Sequence, residues 1–304
     1  VSGCGGGGGG GATPIATNIP RYAYVVDNTD SSVSTYAVDA TTGRLKYIGK
    51  VAAGLLAPVS VAVDPSGKYA YVANGAGGVF QYTINADGSL TSMSPAAVPA
   101  GPFPYSVTVD PSGKYAYVVD NSDNTVYQYK IGADGSLTSL ATVTTGTNPS
   151  SVTVDPSGKY AYVANSTSNN VSEYKINTDG SLTSLGTVTS TNAYSVTVDP
   201  LGKYAYVANW GSSNNSVSQY TIGSGGGLIS MTTPTVFACA PASVTVDPSG
   251  KYAYVANSNL NNSSNGNNVS QYQINGDGSL TAMSPATEPA GVHPTSVTTV
   301  ATYQ

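Results

Sequence analysis

Of 304 residues only 9% are charged, and the formal net charge is −5. With no clustered Lys or Arg the chain has no electrostatic footprint for nucleic acid, and no apolar run is long enough to be a transmembrane segment. Ser, Thr, Asn and Gly take the surface positions instead, and hydroxyls and amides are cheaper to desolvate than ions, so the surface is easily covered by another protein.

The chain opens with Val1-Ser2-Gly3-Cys4 and the run Gly5 to Gly11. This resembles the end of a bacterial lipoprotein signal, in which a cysteine receives lipid. It predicts an exported protein, extracellular or on the cell surface, with a membrane tether if Cys4 is acylated. Residues 1–19 are read as a Gly-rich arm. Ordering such an arm costs roughly 1–2 kcal/mol per glycine, so an ordered arm is expected to dock by backbone hydrogen bonds on its own domain or on a neighbouring copy. The other cysteine, Cys239, lies in Phe237-Ala238-Cys239-Ala240-Pro241. An oxidising compartment would let it pair with Cys4, whereas lipid on Cys4 would leave Cys239 a small buried residue.

From residue 20 onward the chain is built of near-identical units. The core Tyr-Ala-Tyr-Val begins at Tyr22, Tyr69, Tyr115, Tyr160, Tyr204 and Tyr252, so successive copies lie 47, 46, 45, 44 and 48 residues apart. Each unit predicts four strands. In the third, Ser106 to Asp110 alternates Val107 and Val109 with Ser106 and Thr108, the two-residue period of a pleated strand. Asp110-Pro111-Ser112-Gly113 then turns the chain: Asp accepts backbone bonds, Pro presets φ, and Gly takes the positive φ. Tyr115 to Val119 is the second strand, Val126 to Ile131 the third, and Asp134-Gly135 turns into a fourth near Leu137. No stretch of the chain shows sustained helical periodicity, so the fold is all-β.

A four-stranded unit cannot bury both faces alone, and copies stacked around an axis bury them while the ring removes open ends. The prediction is a six-bladed β-propeller of four-stranded antiparallel blades. The first unit lacks an innermost strand and the last stretch, Ser296 to Val300, is a lone one, so the C-terminal strand should close the ring. Pro14 to Thr17 lies at the competing offset but suits a strand less well. The propeller domain is read as residues 20–304, with blades at about 22–50 plus 296–300, 60–94, 106–141, 151–188, 195–232 and 243–284. Tyrosine pairs such as Tyr69/Tyr71 and Tyr115/Tyr117 share one face of the second strand. They are read as packing between blades, each ring removing roughly 150–250 Å² from water.

The repeated Asp-Pro-Ser-Gly-Lys-Tyr-Ala-Tyr-Val-Ala-Asn resembles the YVTN-type repeat of the lactonase-like β-propeller family, over about residues 20–300. That resemblance implies blades around an axial channel and, in many relatives, an extracellular surface role; the family joins sugar-lactone hydrolases with surface-layer and secreted proteins. Its enzymes resemble one another in having seven blades and a channel carrying His, Arg and Glu. This chain departs, with six units, one His, two Arg and two Glu. Only His293-Pro294 keeps the His-Pro pair that often precedes a family blade; the matching places hold Ala57-Pro58, Phe103-Pro104, Asn148-Pro149, Ala193-Tyr194 and Ala240-Pro241. His293 alone could serve as a general base. Arg21 in a hairpin, Arg44 in a turn and Glu173 on a third strand are not expected to converge with it.

The turn aspartates Asp64, Asp110, Asp155, Asp199 and Asp247 are each explained by capping their own turn, and the ring spreads them apart, so no metal and no cofactor is expected. Asn165, Asn170, Asn214, Asn261, Asn262 and Asn268 match the N-glycosylation acceptor pattern in loops after the second strand. Trp210, the single tryptophan, is the candidate for a ligand-binding loop. The chain is therefore expected to be a non-enzymatic extracellular structural or interaction protein without catalytic residues. Its partners would be other surface proteins or itself, in a homo-oligomer or filament joined through the arm. A surface protein that binds a ligand or glycan is the second reading, and a lactonase-like hydrolase using His293 the third.

Overall fold

Alternating β-branched residues and tight Asp-Pro-Ser-Gly turns fold each repeat into an up-and-down sheet. The computed structural model describes residues 21–39, 44–54, 57–211, 215–258, 267–290 and 294–298, except for the side chain of Arg21. Among them there is no helix, and so none long and apolar enough to cross a membrane. β1 (Arg21–Asp27), β2 (Ser32–Val38) and β3 (Leu45–Ala52) form the first sheet. The second holds β4 (Pro58–Val63), β5 (Tyr69–Asn74), β6 (Gly78–Ile84) and β7 (Leu90–Val98), and the third β8 (Pro104–Val109), β9 (Tyr115–Asp120), β10 (Thr125–Ile131) and β11 (Leu137–Thr144). The fourth holds β12 (Pro149–Val154), β13 (Tyr160–Asn165), β14 (Asn170–Ile176) and β15 (Leu182–Thr189). The fifth holds β16 (Ala193–Val198), β17 (Tyr204–Asn209), β18 (Ser216–Ile222) and β19 (Leu228–Phe237), and the sixth β20 (Pro241–Val246), β21 (Tyr252–Asn257), β22 (Asn268–Ile274) and β23 (Leu280–Pro289).

These sheets are the six blades of a β-propeller, with β4, β8, β12, β16 and β20 side by side around the axis. Residues 294–298 take the sixth inner place and close the ring. The Val297 N–H donates to Ser243 Oγ at 3.3 Å, the bond that Val107, Val152, Val196 and Val244 make to Ser60, Ser106, Ser151 and Ser195.

Tyrosines lock neighbouring blades together in both directions. Tyr71, Tyr117, Tyr162 and Tyr206 are fully buried, and their hydroxyls donate to the carbonyls of Gly135, Gly180, Gly226 and Gly278 in the next blade at 2.7–2.9 Å. Gly135 stands at φ +81°, and a Cβ there would lie 2.2 Å from Tyr69 Cδ1, so only glycine lets the ring close over the turn. On the third strands, Tyr82, Tyr129, Tyr174, Tyr220 and Tyr272 donate back to the end of the preceding blade, at Ala52, Pro99, Thr144, Thr189 and Phe237. The turn aspartates cap as expected. Asp110 Oδ1 accepts from the N–H groups of Lys114 and Tyr115 at 2.8 and 2.7 Å, and Oδ2 from that of Ser112 at 3.0 Å. Asp64, Asp155, Asp199 and Asp247 repeat this arrangement.

Glu173 occupies a place that glutamine holds in other blades. Gln81, Gln128 and Gln219 each accept the N–H that opens the fourth strand of the next blade, and Glu173 accepts that of Leu228 at 2.7 Å. Gln81 and Gln219 also donate from Nε2 to the carbonyls of Pro95 and Thr233, which a carboxylate cannot do. Burial accordingly pushes the Glu173 carboxyl above its ordinary pKa. Glu173→Gln is expected to stabilise the fold by about 1 kcal/mol at neutral pH. Because the folded-state pKa is raised, the wild-type carboxyl contributes its stability below the unfolded pKa and loses it as pH rises through the folded one. The advantage of glutamine should therefore grow as pH rises from about 4, the ordinary glutamate value, through the raised folded-state pKa. Thermal melts of both proteins across that window check this, and an advantage that stays constant would show that the carboxyl keeps its charge state on unfolding.

Candidate functional site

The inner strands carry a bulge that aims side chains at the axis. In β8, Pro104 faces Asp120 and Ser106 faces Val119, leaving Tyr105 unpaired between them. β4, β12, β16 and β20 repeat the shift at Val59, Ser150, Tyr194 and Ala242. A bulge breaks the alternation of a strand, so the bulged residue and the serine after it both line the axial cavity. With Val26, Asn28, Thr295 and Ser296 they enclose about 350 Å³. The wall is one of hydroxyls and small apolar groups, and no described residue that lines it is charged.

Two bulged positions break the column of small residues. Tyr105 and Tyr194 reach toward each other across the blade between them, and their hydroxyl oxygens lie 2.5 Å apart. The rings meet edge to face, with centroids 6.4 Å apart and planes at 80°. Both are buttressed. Trp210 packs edge to face on Tyr194 with centroids 4.7 Å apart, and Ser150 Oγ donates to the Tyr194 carbonyl at 2.7 Å. Tyr105 leans on Phe103, whose N–H is held by the buried Asp120 carboxylate. Burial pushes the Tyr194 phenol far above its usual pKa, and the neighbouring Tyr105 adds to this, so Tyr194 is a proton donor at neutral pH and not a phenolate base. One hydroxyl of the pair donates to the other. The proton of the accepting hydroxyl is left for a guest, and it is strengthened as a donor by the bond its oxygen receives.

On the far side of Tyr194 lies a second cleft of about 470 Å³, lined by Ser166, Thr167, Asn169, Asn192, Tyr194 and Trp210. The Trp210 backbone N–H donates to the Asn192 backbone carbonyl at 3.0 Å, which ties the two loops together.

Of the residues singled out from sequence, Trp210 joins this region. Glu173 sits in the wall between blades and Arg44 is exposed at the turn between β2 and β3. Cys239 is partly exposed beside an apolar cleft formed with Phe237, Tyr272 and Ala282. His293, Cys4 with its glycine arm, Asn214, Asn261 and Asn262 lie outside the described residues. Asn165 is fully buried, its amide donating to Asn170 Oδ1 and Ser172 Oγ at 2.9 Å, so the folded chain closes it to glycosylation. Asn170 and Asn268 are half-buried, and the Asn268 Oδ1 accepts from Asn257. Sequence reasoning missed the tyrosine pair. Its signal is the interruption of small residues before the repeated Ser-Val: Val59, Ser150, Ala242 and Thr295 against Tyr105 and Tyr194.

A family model described as "Lactonase, 7-bladed beta-propeller" matches residues 7–293. No curated protein sequence matches the chain. Solved structures of the same fold include a protein from Lactobacillus plantarum, 22% identical with a TM-score of 0.76 over 90% of this chain and 84% of that one. A candidate 6-phosphogluconolactonase from Bacteroides uniformis is 21% identical, with a TM-score of 0.78 over 93% and 85%. The periplasmic gluconolactonase of Pseudomonas aeruginosa is 21% identical, with a TM-score of 0.71 over 82% and 75%. At these identities the likeness to solved structures is one of fold. The family match corrects the expectation of a non-enzymatic structural protein, because the family is described as a lactonase. Repeat uniformity and low charge, which carried that expectation, describe how blades pack and do not bear on chemistry at the axis. The family's description counts seven blades, whereas this chain forms six sheets among the described residues.

Proposed function

The chain belongs to the lactonase family of β-propellers, and on that premise we propose that it is a hydrolase that opens an uncharged sugar lactone in the axial cavity. The observation that carries this is the Tyr105–Tyr194 pair set in a hydroxyl-lined wall. In the reaction, water adds to the lactone carbonyl carbon, the ring C–O bond breaks, and the proton shed by the water ends on the leaving alkoxide, giving a hydroxy acid. Negative charge develops on the carbonyl oxygen, and the free proton of the tyrosine pair is the donor that meets it. The ring of serines offers partners to the sugar hydroxyls. His293, the single histidine and outside the described residues, is the base this reading proposes for the attacking water from its chemistry alone.

The substrate is uncharged because a phosphate would be desolvated against a wall that offers it no cation among the described residues. This sets the chain apart from the activity in the name of the Bacteroides neighbour. A location outside the cytoplasm belongs to the same proposal, supported by Val1-Ser2-Gly3-Cys4 and by the periplasmic neighbour.

Following acid release from glucono-δ-lactone in a pH-stat tests the reading. Turnover should exceed spontaneous hydrolysis, exceed that of the 6-phosphorylated lactone, and vanish in His293→Ala. Equal rates with and without protein for both lactones would remove the hydrolase, and a preference for the phosphorylated one would remove the uncharged substrate.

A further inference from the structure

The cleft beneath Trp210 is not needed to hold a single lactone ring, yet it is built like a site. At about 470 Å³ it is as roomy as the axial cavity and falls in the range of small-ligand pockets. Its floor is aromatic and its sides are neutral hydroxyls and amides, with no charged residue among the described residues that line it. The Asn169 Oδ1 is engaged by the Asn192 N–H at 2.7 Å, which fixes the loops, while the Asn192 side-chain amide makes no hydrogen bond among the described residues. An aromatic face beside the unpartnered Asn192 amide suits a ring whose faces carry C–H groups and whose rim carries hydroxyls. A neutral pyranose is such a ring, whereas an ion or an anionic ligand would enter without a counter-charge.

Tyr194 is the wall common to this cleft and the axial cavity. We infer that the cleft binds a second sugar ring, so that the preferred substrate is the lactone of an oxidised disaccharide or longer oligosaccharide, with its lactone end in the axial cavity and the adjoining ring against Trp210. The substrate part rests on the lactonase reading; the sugar site itself does not. Binding energy from the remote ring then orients the lactone carbonyl against the tyrosine pair.

Trp210 is the only tryptophan in the chain, so intrinsic emission reports on this cleft directly. Two measurements on the full chain test the inference: emission during titration with cellobiose, and kcat/KM for cellobionolactone against glucono-δ-lactone. Cellobiose should shift the emission saturably. The disaccharide lactone should be favoured by about ten-fold, the ratio falling to about one in Trp210→Ala and staying mostly intact in Trp210→Phe, which keeps an aromatic face. Emission unmoved by cellobiose, or a wild-type ratio of one, overturns the inference. If neither lactone turns over while cellobiose still shifts the emission, the hydrolase reading falls and the sugar site stands.

Discussion

Cutting the chain before Pro294 is expected to unfold the propeller, not merely to trim it. The tail fills the inner place that the first blade lacks, and without it that blade is left as three strands with the inner edge of β1 uncovered. Ser243 loses the Val297 N–H, and the axial cavity loses Thr295 and Ser296 from its wall. Losing this segment's hydrogen bond to Ser243 and its packing against the inner strands is expected to cost roughly 3–5 kcal/mol. That is a large part of the ~5–15 kcal/mol that holds a typical domain folded. Urea melts should show the midpoint of the truncated chain collapsing, with aggregation through the opened edges. Val297→Pro offers a milder test, since it removes one N–H and leaves the chain in place; it should cost about 1–3 kcal/mol. A truncated protein that melts within about 2 °C of the full chain would show that something else, such as the offset at Pro14 to Thr17, closes the ring.

The ring could be read in advance because each of its causes is local or repeats. The turn at Asp110 needs only the residues to Tyr115, and the bond of Tyr117 to Gly180 recurs at a nearly constant separation of 63 to 72 residues. Once one blade is understood, its neighbours follow, and a missing first strand matched to a lone last one yields the closure. The site could not be read in the same way. Tyr105 and Tyr194 are 89 residues apart and meet only because both stand at bulges on the inner strands. Strict alternation would put Tyr105 and Ser106 on opposite faces, and nothing in the two-residue pattern marks the extra residue. A search for histidines and carboxylates also passes over a cavity whose described wall is made of neutral hydroxyls. It stops at Glu173, whose side chain serves the joint between blades. The acceptor pattern at Asn165 is equally plain in sequence, but its burial at the end of β13 depends on the loop that folds over it.

Replacing Tyr194 by Phe should lower kcat for lactone hydrolysis by about 100-fold while leaving the fold intact. The variant keeps the ring that packs on Trp210 and Tyr105 and removes only the hydroxyl. Because that phenol is half-buried and far from losing its proton, what disappears is a hydrogen-bond donor and not a charge. The effect should fall on kcat more than on KM, since the donor is worth most where the carbonyl oxygen has become negative. Tyr105→Phe should act in the same direction, and the double variant should be little worse than either single one. Each hydroxyl works through the other, so removing one already disables the unit. Thermal melts and the Trp210 emission spectrum would show whether the scaffold around the pair has held. Near-normal turnover in Tyr194→Phe with both of those unchanged would mean that the pair only braces the channel wall, and the developing charge would then have to be met by another group lining the axis.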